Sequence, residues 1–168
     1  MTYVLRMLSE FAERMRHDLL RPHPHAYERV AFISARPAAT EDGLLLLAAD
    51  YHPVADEDYA VDPAVGAMMS EAAIRKAMQI AWRAKCSVVH VHLHDHTGMP
   101  GFGMLDRKEN ARFVPEFFNV QPNLPHAAIV LSRDHAAGLI WPSRGSRPSP
   151  FDEIAEVGQP MRISRNQT

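Results

Sequence analysis

Between Cys86 and Asp106 the chain reads CSVVHVHLHDHTGMPGFGMLD, and His90, His92, His94 and His96 recur there at every second position. On an extended strand, residues two apart leave the same face, about 6.5–7 Å apart along the chain. His90, His92 and His94 would then line one face, and Val89, Val91 and Leu93 would turn the other way into a core. Two imidazoles so placed can share one metal ion at Zn–N distances of about 2.0–2.1 Å. A tetrahedral catalytic site needs a third protein ligand and one open position for water. Asp106 stands just past a glycine-rich loop, at the start of an expected helix, where the first turn favours an anion. It is the oxygen ligand that would complete the set. Two alternatives stay open for the neighbours. His90 is either a group beneath the metal or a packed sheet residue, and His96 is either a loop residue or, with the register shifted by two, the second ligand. H-x-H alone is a weak signal that also occurs by chance and in cupin barrels; three alternating histidines with a downstream carboxylate weigh more.

The elements that must hold these groups follow from periodicity. TYVLRML (2–8) reads as a short strand, and from Ser9, a candidate N-cap, Phe11, Ala12, Met15 and Leu19 fall at helical spacing. Arg21-Pro22-His23-Pro24 ends that helix, since proline lacks the amide and restricts its predecessor. ERVAFISA (28–35) and GLLLLAAD (43–50) read as strands paired antiparallel across the turn-like ARPAATED. An acidic irregular connection (52–68) leads to a helix capped by Ser70, with Ile74, Ala77, Met78 and Ala81 on one face. The histidine strand follows, then the loop with Gly98, Gly101 and Gly103, and then a helix opened by Asp106 and interrupted at Pro115. Residues 127–132 and 137–141 read as strands, 142–150 as a mobile loop, and 160–164 as a final strand. The alternation of helices and strands indicates one α/β (α+β) domain over 1–168, built around a central sheet.

Composition bounds the partners. The chain of 168 residues is 46% apolar and 23% charged, with a formal charge of -2. That gives no electrostatic case for nucleic acid or an anionic membrane. A lone cysteine, Cys86, excludes an internal disulfide and suits a reducing compartment. The N-terminal segment mixes charges into its apolar pattern, unlike a signal peptide, and no stretch approaches a membrane span. The expected location is the cytoplasm.

HVHLHDHTGMPGFGMLD resembles the signature of the JAMM zinc metalloproteases (the MPN-domain family): H-x-H, a short loop, then S-x-x-D. Glu28, opening ERVAFIS after the 9–20 helix, stands where that family carries its catalytic glutamate. The order of elements agrees over nearly the whole chain, and the likeness is greatest to the bacterial branch, whose genes often accompany enzymes that activate and conjugate ubiquitin-like proteins. The resemblance implies an MPN-type central mixed β-sheet flanked by helices, with Zn2+ held by His92, His94 and Asp106 and Glu28 as general base. It implies an isopeptidase or peptidase acting after the C-terminal glycine of a ubiquitin-like protein, on conjugates or precursors, in company with activating and conjugating enzymes.

Three departures stand out. The loop from His94 to Asp106 is one residue longer than in the eukaryotic members, Asp95 replaces the usual proline, and Gly103 occupies the place of the family serine. That hydroxyl resembles an oxyanion donor, and losing one such donor costs about 2.7–4 kcal/mol, or about 10²–10³ in rate, in other hydrolases. Thr97 and a backbone N–H of the glycine loop are the candidates to replace it. Gly103 also favours a second reading, a non-catalytic MPN scaffold that binds a partner, against which the intact ligand set counts. A cupin-type enzyme is disfavoured by the two helical patterns.

Overall fold

The computed structural model describes residues 1–24, 26–61 and 66–166. Strand β1 (Thr2–Leu8) runs straight into helix α1 (Ser9–Leu19), whose N-cap position is Leu8, so Ser9 is the first helical residue and not the cap. Phe11, Ala12, Met15 and Leu19 are buried on one face of α1, as their spacing requires. Strands β2 (Val30–Ala39) and β3 (Gly43–Pro53) pair antiparallel with a register shift at Ser34/Ala35. The hairpin is longer than the turn-like sequence ARPAATED suggests. Beyond Ala35, β2 pairs with β3 alone, so Pro37 sits where its missing N–H faces no partner strand.

The connection to the next helix holds a 3-10 turn (Asp56–Asp58) and a small hairpin of β4 (Tyr59–Ala60) and β5 (Met68–Met69). Asp62 and the rest of 62–65, part of the acidic stretch, lie outside the described residues. Helix α2 (Glu71–Ala84) begins where the Ser70 hydroxyl accepts the Ala73 N–H, and Ala73, Ala77 and Ala81 form its buried stripe. Then come β6 (Ser87–Leu93), α3 (Met104–Phe113) and a 3-10 turn (Val114–Asn119), where Pro115 breaks the α pattern. Strands β7 (His126–Leu131), β8 (Ala136–Trp141), β9 (Ser149–Pro150), β10 (Glu153–Val157) and β11 (Arg162–Arg165) complete the chain. Within 142–150, Arg144 donates to the Phe118 carbonyl at 2.7 Å, and β9 pairs with β8.

Among the described residues nine strands form one mixed sheet in the order β11-β10-β1-β3-β2-β6-β7-β8-β9, with β1/β10, β1/β3 and β6/β7 parallel. The sheet curls far enough that Ala136 N–H, at the start of β8, donates to the Ser164 hydroxyl of β11 at 2.9 Å. One face is covered by α1, and its core joins Met15 and Leu19 to Leu5, Ile33, Val89, Val91, Leu131 and Ile154. The other face is covered by α2 and by α3 with its following turn, where Val30, Phe32, Val88, Phe113 and Phe117 meet. The whole is a mixed α/β protein with helices on both faces of its sheet. Among the described residues no helix is long and apolar enough to cross a membrane.

Candidate metal centre

Strand β6 lies between β2 and β7 and is buried along its whole length. Its alternation is the one the sequence indicates: Val89, Val91 and Leu93 enter the α1-side core, and His90 and His92 project to the α3 side. His94 follows the last strand residue, and its backbone N–H still donates to Leu131 O at 2.9 Å, which fixes the chain as it leaves the sheet. His92 is buried, while about a quarter of the His94 side chain is exposed.

The acid arrives from α3. Gly103 is its N-cap, and Asp106, the third helical residue, turns back so that its Oδ2 accepts the Gly103 N–H at 2.8 Å. Only this half of a capping box exists, because glycine has no side chain to return the bond. The bond aims Oδ2 at the two imidazoles. His92 Nε2 and His94 Nε2 are 3.2 Å apart, and Asp106 Oδ2 lies 3.6 Å from the first and 3.7 Å from the second. Ligands about 2.0–2.1 Å from a tetrahedral zinc stand about 3.3–3.4 Å from one another, and these separations bracket that edge. Ligand atoms of Glu28, His92 and His94 also lie within 4.8 Å of one another, so a second carboxylate faces the same point.

Glu28, His92, His94, Gly103 and Asp106 line one cavity of about 500 Å³, and His90 lines it too. Glu28 does not open β2, as the sequence suggests, but precedes its first residue, Val30, by two positions. Its placement depends on Arg29, a residue that sequence reasoning passes over. The buried Arg29 guanidinium donates to Arg21 O at 2.9 Å, Pro22 O at 2.7 Å and Asp56 Oδ1 at 2.6 Å, and Val30 N–H donates to the Tyr59 hydroxyl at 2.8 Å. A lone arginine beside an acid carries no signal that its partners are two carbonyls and a distant aspartate.

The other two histidines of the run take different positions. His90 packs edge-on against Phe113, with its Nδ1 3.0 Å from Asn110 Oδ1. Burial and the neighbouring His92 lower its pKa to about 3, so it is a neutral imidazole. His96 is exposed, its Nδ1 2.8 Å from Thr97 O, and neither His96 nor Thr97 lines the cavity. Thr97 is therefore not placed to replace the missing serine. The N–H groups of Gly98 and Gly103 are already given to Asp134 Oδ1 and Asp106 Oδ2. Among the described residues a Cβ at Gly103 would meet only the Asp106 side chain, at 3.3 Å from Oδ2.

The electrostatics suit a cation. The Asp106 carboxyl is held down to about 2, chiefly by the His92 imidazole beside it and against the opposing effect of burial. It is ionised at any physiological pH. His92 Nδ1, His90 Nε2 and Asn110 Nδ2 are buried without a hydrogen-bond partner among the described residues, so the site concentrates polarity beyond what the fold itself satisfies. Two imidazoles and a carboxylate fit zinc, and such sets also take other divalent transition metals. Compared with known proteins, the chain matches no protein-family model and no curated sequence.

Proposed function

We propose that the protein is a zinc-dependent isopeptidase or peptidase with the MPN-type fold of the JAMM family, cleaving after the C-terminus of a ubiquitin-like protein. The observation that carries this reading is the convergence of His92, His94 and Asp106 at near-tetrahedral separations, with Glu28 facing them across one cavity. Zinc, when bound, lowers the pKa of a coordinated water towards 7 and polarises a carbonyl. His92, His94 and Asp106 would hold it, and the Gly103 N–H keeps the Asp106 carboxylate turned inward. Glu28 takes one proton from the attacking water as its oxygen bonds to the scissile carbonyl carbon. It returns that proton to the amine nitrogen as the C–N bond breaks, and the second water proton then passes from the new carboxylic acid to the amine, leaving a carboxylate and an ammonium. Val30, Met69, Ile74 and Phe113 make much of the cavity wall apolar, which suits an extended tail entering beside the β4–β5 hairpin. Enzymes that activate and conjugate the same ubiquitin-like protein are the expected partners, and the cytoplasm the expected location.

Glu28→Gln tests the assignment. Zinc content should be kept and cleavage of a ubiquitin-like tail fusion lost, with chelation abolishing the wild-type reaction reversibly. Full activity in Glu28→Gln would remove this acid from the chemistry. The second reading, a partner-binding scaffold, is favoured by Gly103. It would be supported by zinc binding without any cleavage of such a tail.

A further inference from the structure

We infer that Gly66 is a positioning residue that seats the Glu28 carboxylate, by its carbonyl on one side and by its lack of a side chain on the other. The inference rests on the reading of Glu28 as the proton carrier. Glu28 lies outside the β2 ladder, so its backbone has no strand to hold it. Instead the Gly66 carbonyl accepts two consecutive N–H groups, from Tyr27 at 2.8 Å and from Glu28 at 3.1 Å. That single oxygen fixes the peptide plane from which the Glu28 side chain departs.

The Cα of Gly66 faces the same carboxylate. A Cβ built there would stand 3.1 Å from Glu28 Cδ, 3.2 Å from Oε2 and 3.4 Å from Oε1. Gly66 is not among the glycines in the left-handed region, so its backbone conformation alone does not demand glycine. What excludes a side chain is the carboxylate. The crowding is a few tenths of an ångström against the free end of a half-buried side chain, so a methyl group costs the fold little. It does push the proton carrier out of line. Misplacing a reacting group by about 1 Å costs on the order of 10²-fold in rate, so a shift of about half that should cost roughly tenfold. Gly66 also lines the cavity beside Ala67, Met68 and Met69, so the wall that a substrate touches is the wall that orients the acid.

The test uses the zinc-loaded full chain, its cobalt-loaded form and a Gly-Gly aminocoumarin peptide amide. Gly66→Ala should lower kcat about tenfold, with KM, zinc affinity by chelator competition and thermal midpoint nearly unchanged. The visible spectrum of the cobalt form should change in the same sense as in Glu28→Gln. In a Glu28→Asp background the shorter acid clears the added methyl, so Gly66→Ala should cost less there than in wild type. Equal loss in both backgrounds, or an unchanged kcat with an unchanged cobalt spectrum, overturns the inference. So does a large drop in thermal midpoint with loss of amide protection far from residues 27 and 28, which would mark Gly66 as generally structural. Should the wild type fail to cleave the probe, the protease reading suffers. The cobalt spectra of Gly66→Ala and Glu28→Gln still decide whether Gly66 acts through Glu28.

Discussion

If the protein is the peptidase proposed above, Gly103→Ser should raise turnover, and the geometry at position 103 shows that the side chain fits. The N-cap residue has φ -63° and ψ 171°, a conformation open to any L-residue. A Cβ there would meet no backbone, only Asp106 Oδ2 at 3.3 Å, so the side chain fits after a shift of tenths of an ångström. A hydroxyl carries one donor and two acceptor sites, so one oxygen can accept the Asp106 N–H while its proton points into the cavity. Serine over glycine at an N-cap contributes only a few tenths of a kcal/mol, or about 1 °C in thermal midpoint for a chain of this size. The effect on rate is of another order. A donor aimed at charge that develops in the transition state is worth about 2.7–4 kcal/mol, so kcat should rise by about 10²–10³. KM should barely move, because the ground-state carbonyl gains little. The assay is single-variant kinetics on a ubiquitin-like tail amide at equal zinc occupancy, beside a thermal melt. A kcat unchanged or lowered, with zinc content and fold intact, would show that position 103 does not face the reacting carbonyl.

Two further predictions concern the frame around the site. The buried Glu156 accepts from Arg16 Nη1 at 2.8 Å and from Arg16 Nη2, and Arg16 also donates to Ser132 O at 2.9 Å, which ties α1 to β10 and to the β7–β8 turn. Glu156→Gln strands a buried guanidinium and should cost about 3–5 kcal/mol in urea unfolding; a loss below about 1 kcal/mol would mean that the pair is not desolvated as drawn. His126 is fully buried, and its Nδ1 accepts the Val88 N–H at 3.1 Å. Burial lowers its pKa to about 4, with the Gln121 carbonyl opposing weakly. The folded value lies below the unfolded value of about 6.5, so the unfolded chain takes up the proton first. Stability is therefore complete above about pH 6.5 and falls towards pH 4, by on the order of 3 kcal/mol. His126→Gln should flatten that part of the profile; an identical slope in both proteins would exclude His126 as its source.

The centre of the molecule was the part most open to reading from sequence, because there the sheet is packed on both faces and each face selects its residues. Val89, Val91 and Leu93 alternate with His90 and His92 because one set meets α1 and the other meets α3. The β2–β3 hairpin and the Ser70 cap are legible for equally local reasons. Short pieces are not. The five residues of β10 carry two glutamates, and one of them is buried beside Arg16, far away in sequence, and Arg162 of the neighbouring strand, which neutralise it. The two-residue strands β4 and β5 leave no periodicity to detect. The seat of Glu28 is hidden for another reason. Its determinants are the carbonyls of Arg21, Pro22 and Gly66, and a carbonyl looks the same in every residue.

The polarity of the β6 face carries a cost that burial alone does not explain. Around the cavity, His92 Nδ1, His90 Nε2 and Asn110 Nδ2 lie buried without partners among the described residues. Each unsatisfied group costs about 1–3 kcal/mol, and a domain has only about 5–15 kcal/mol of net stability to lose. The packing does not demand imidazoles there, since Val89, Val91 and Leu93 fill most of the opposite face of the same strand and Val88 sits on the costly face itself. Nor does it arise from solvent exposure, because His90 and His92 are almost entirely buried. His92 on the strand and His94 just past its end face the ionised Asp106 carboxylate, while His90 lies buried behind them against Asn110 and Phe113. A cation held by His92, His94 and Asp106 would return part of the lost stability on binding, because a ligand that binds only the folded state stabilises it.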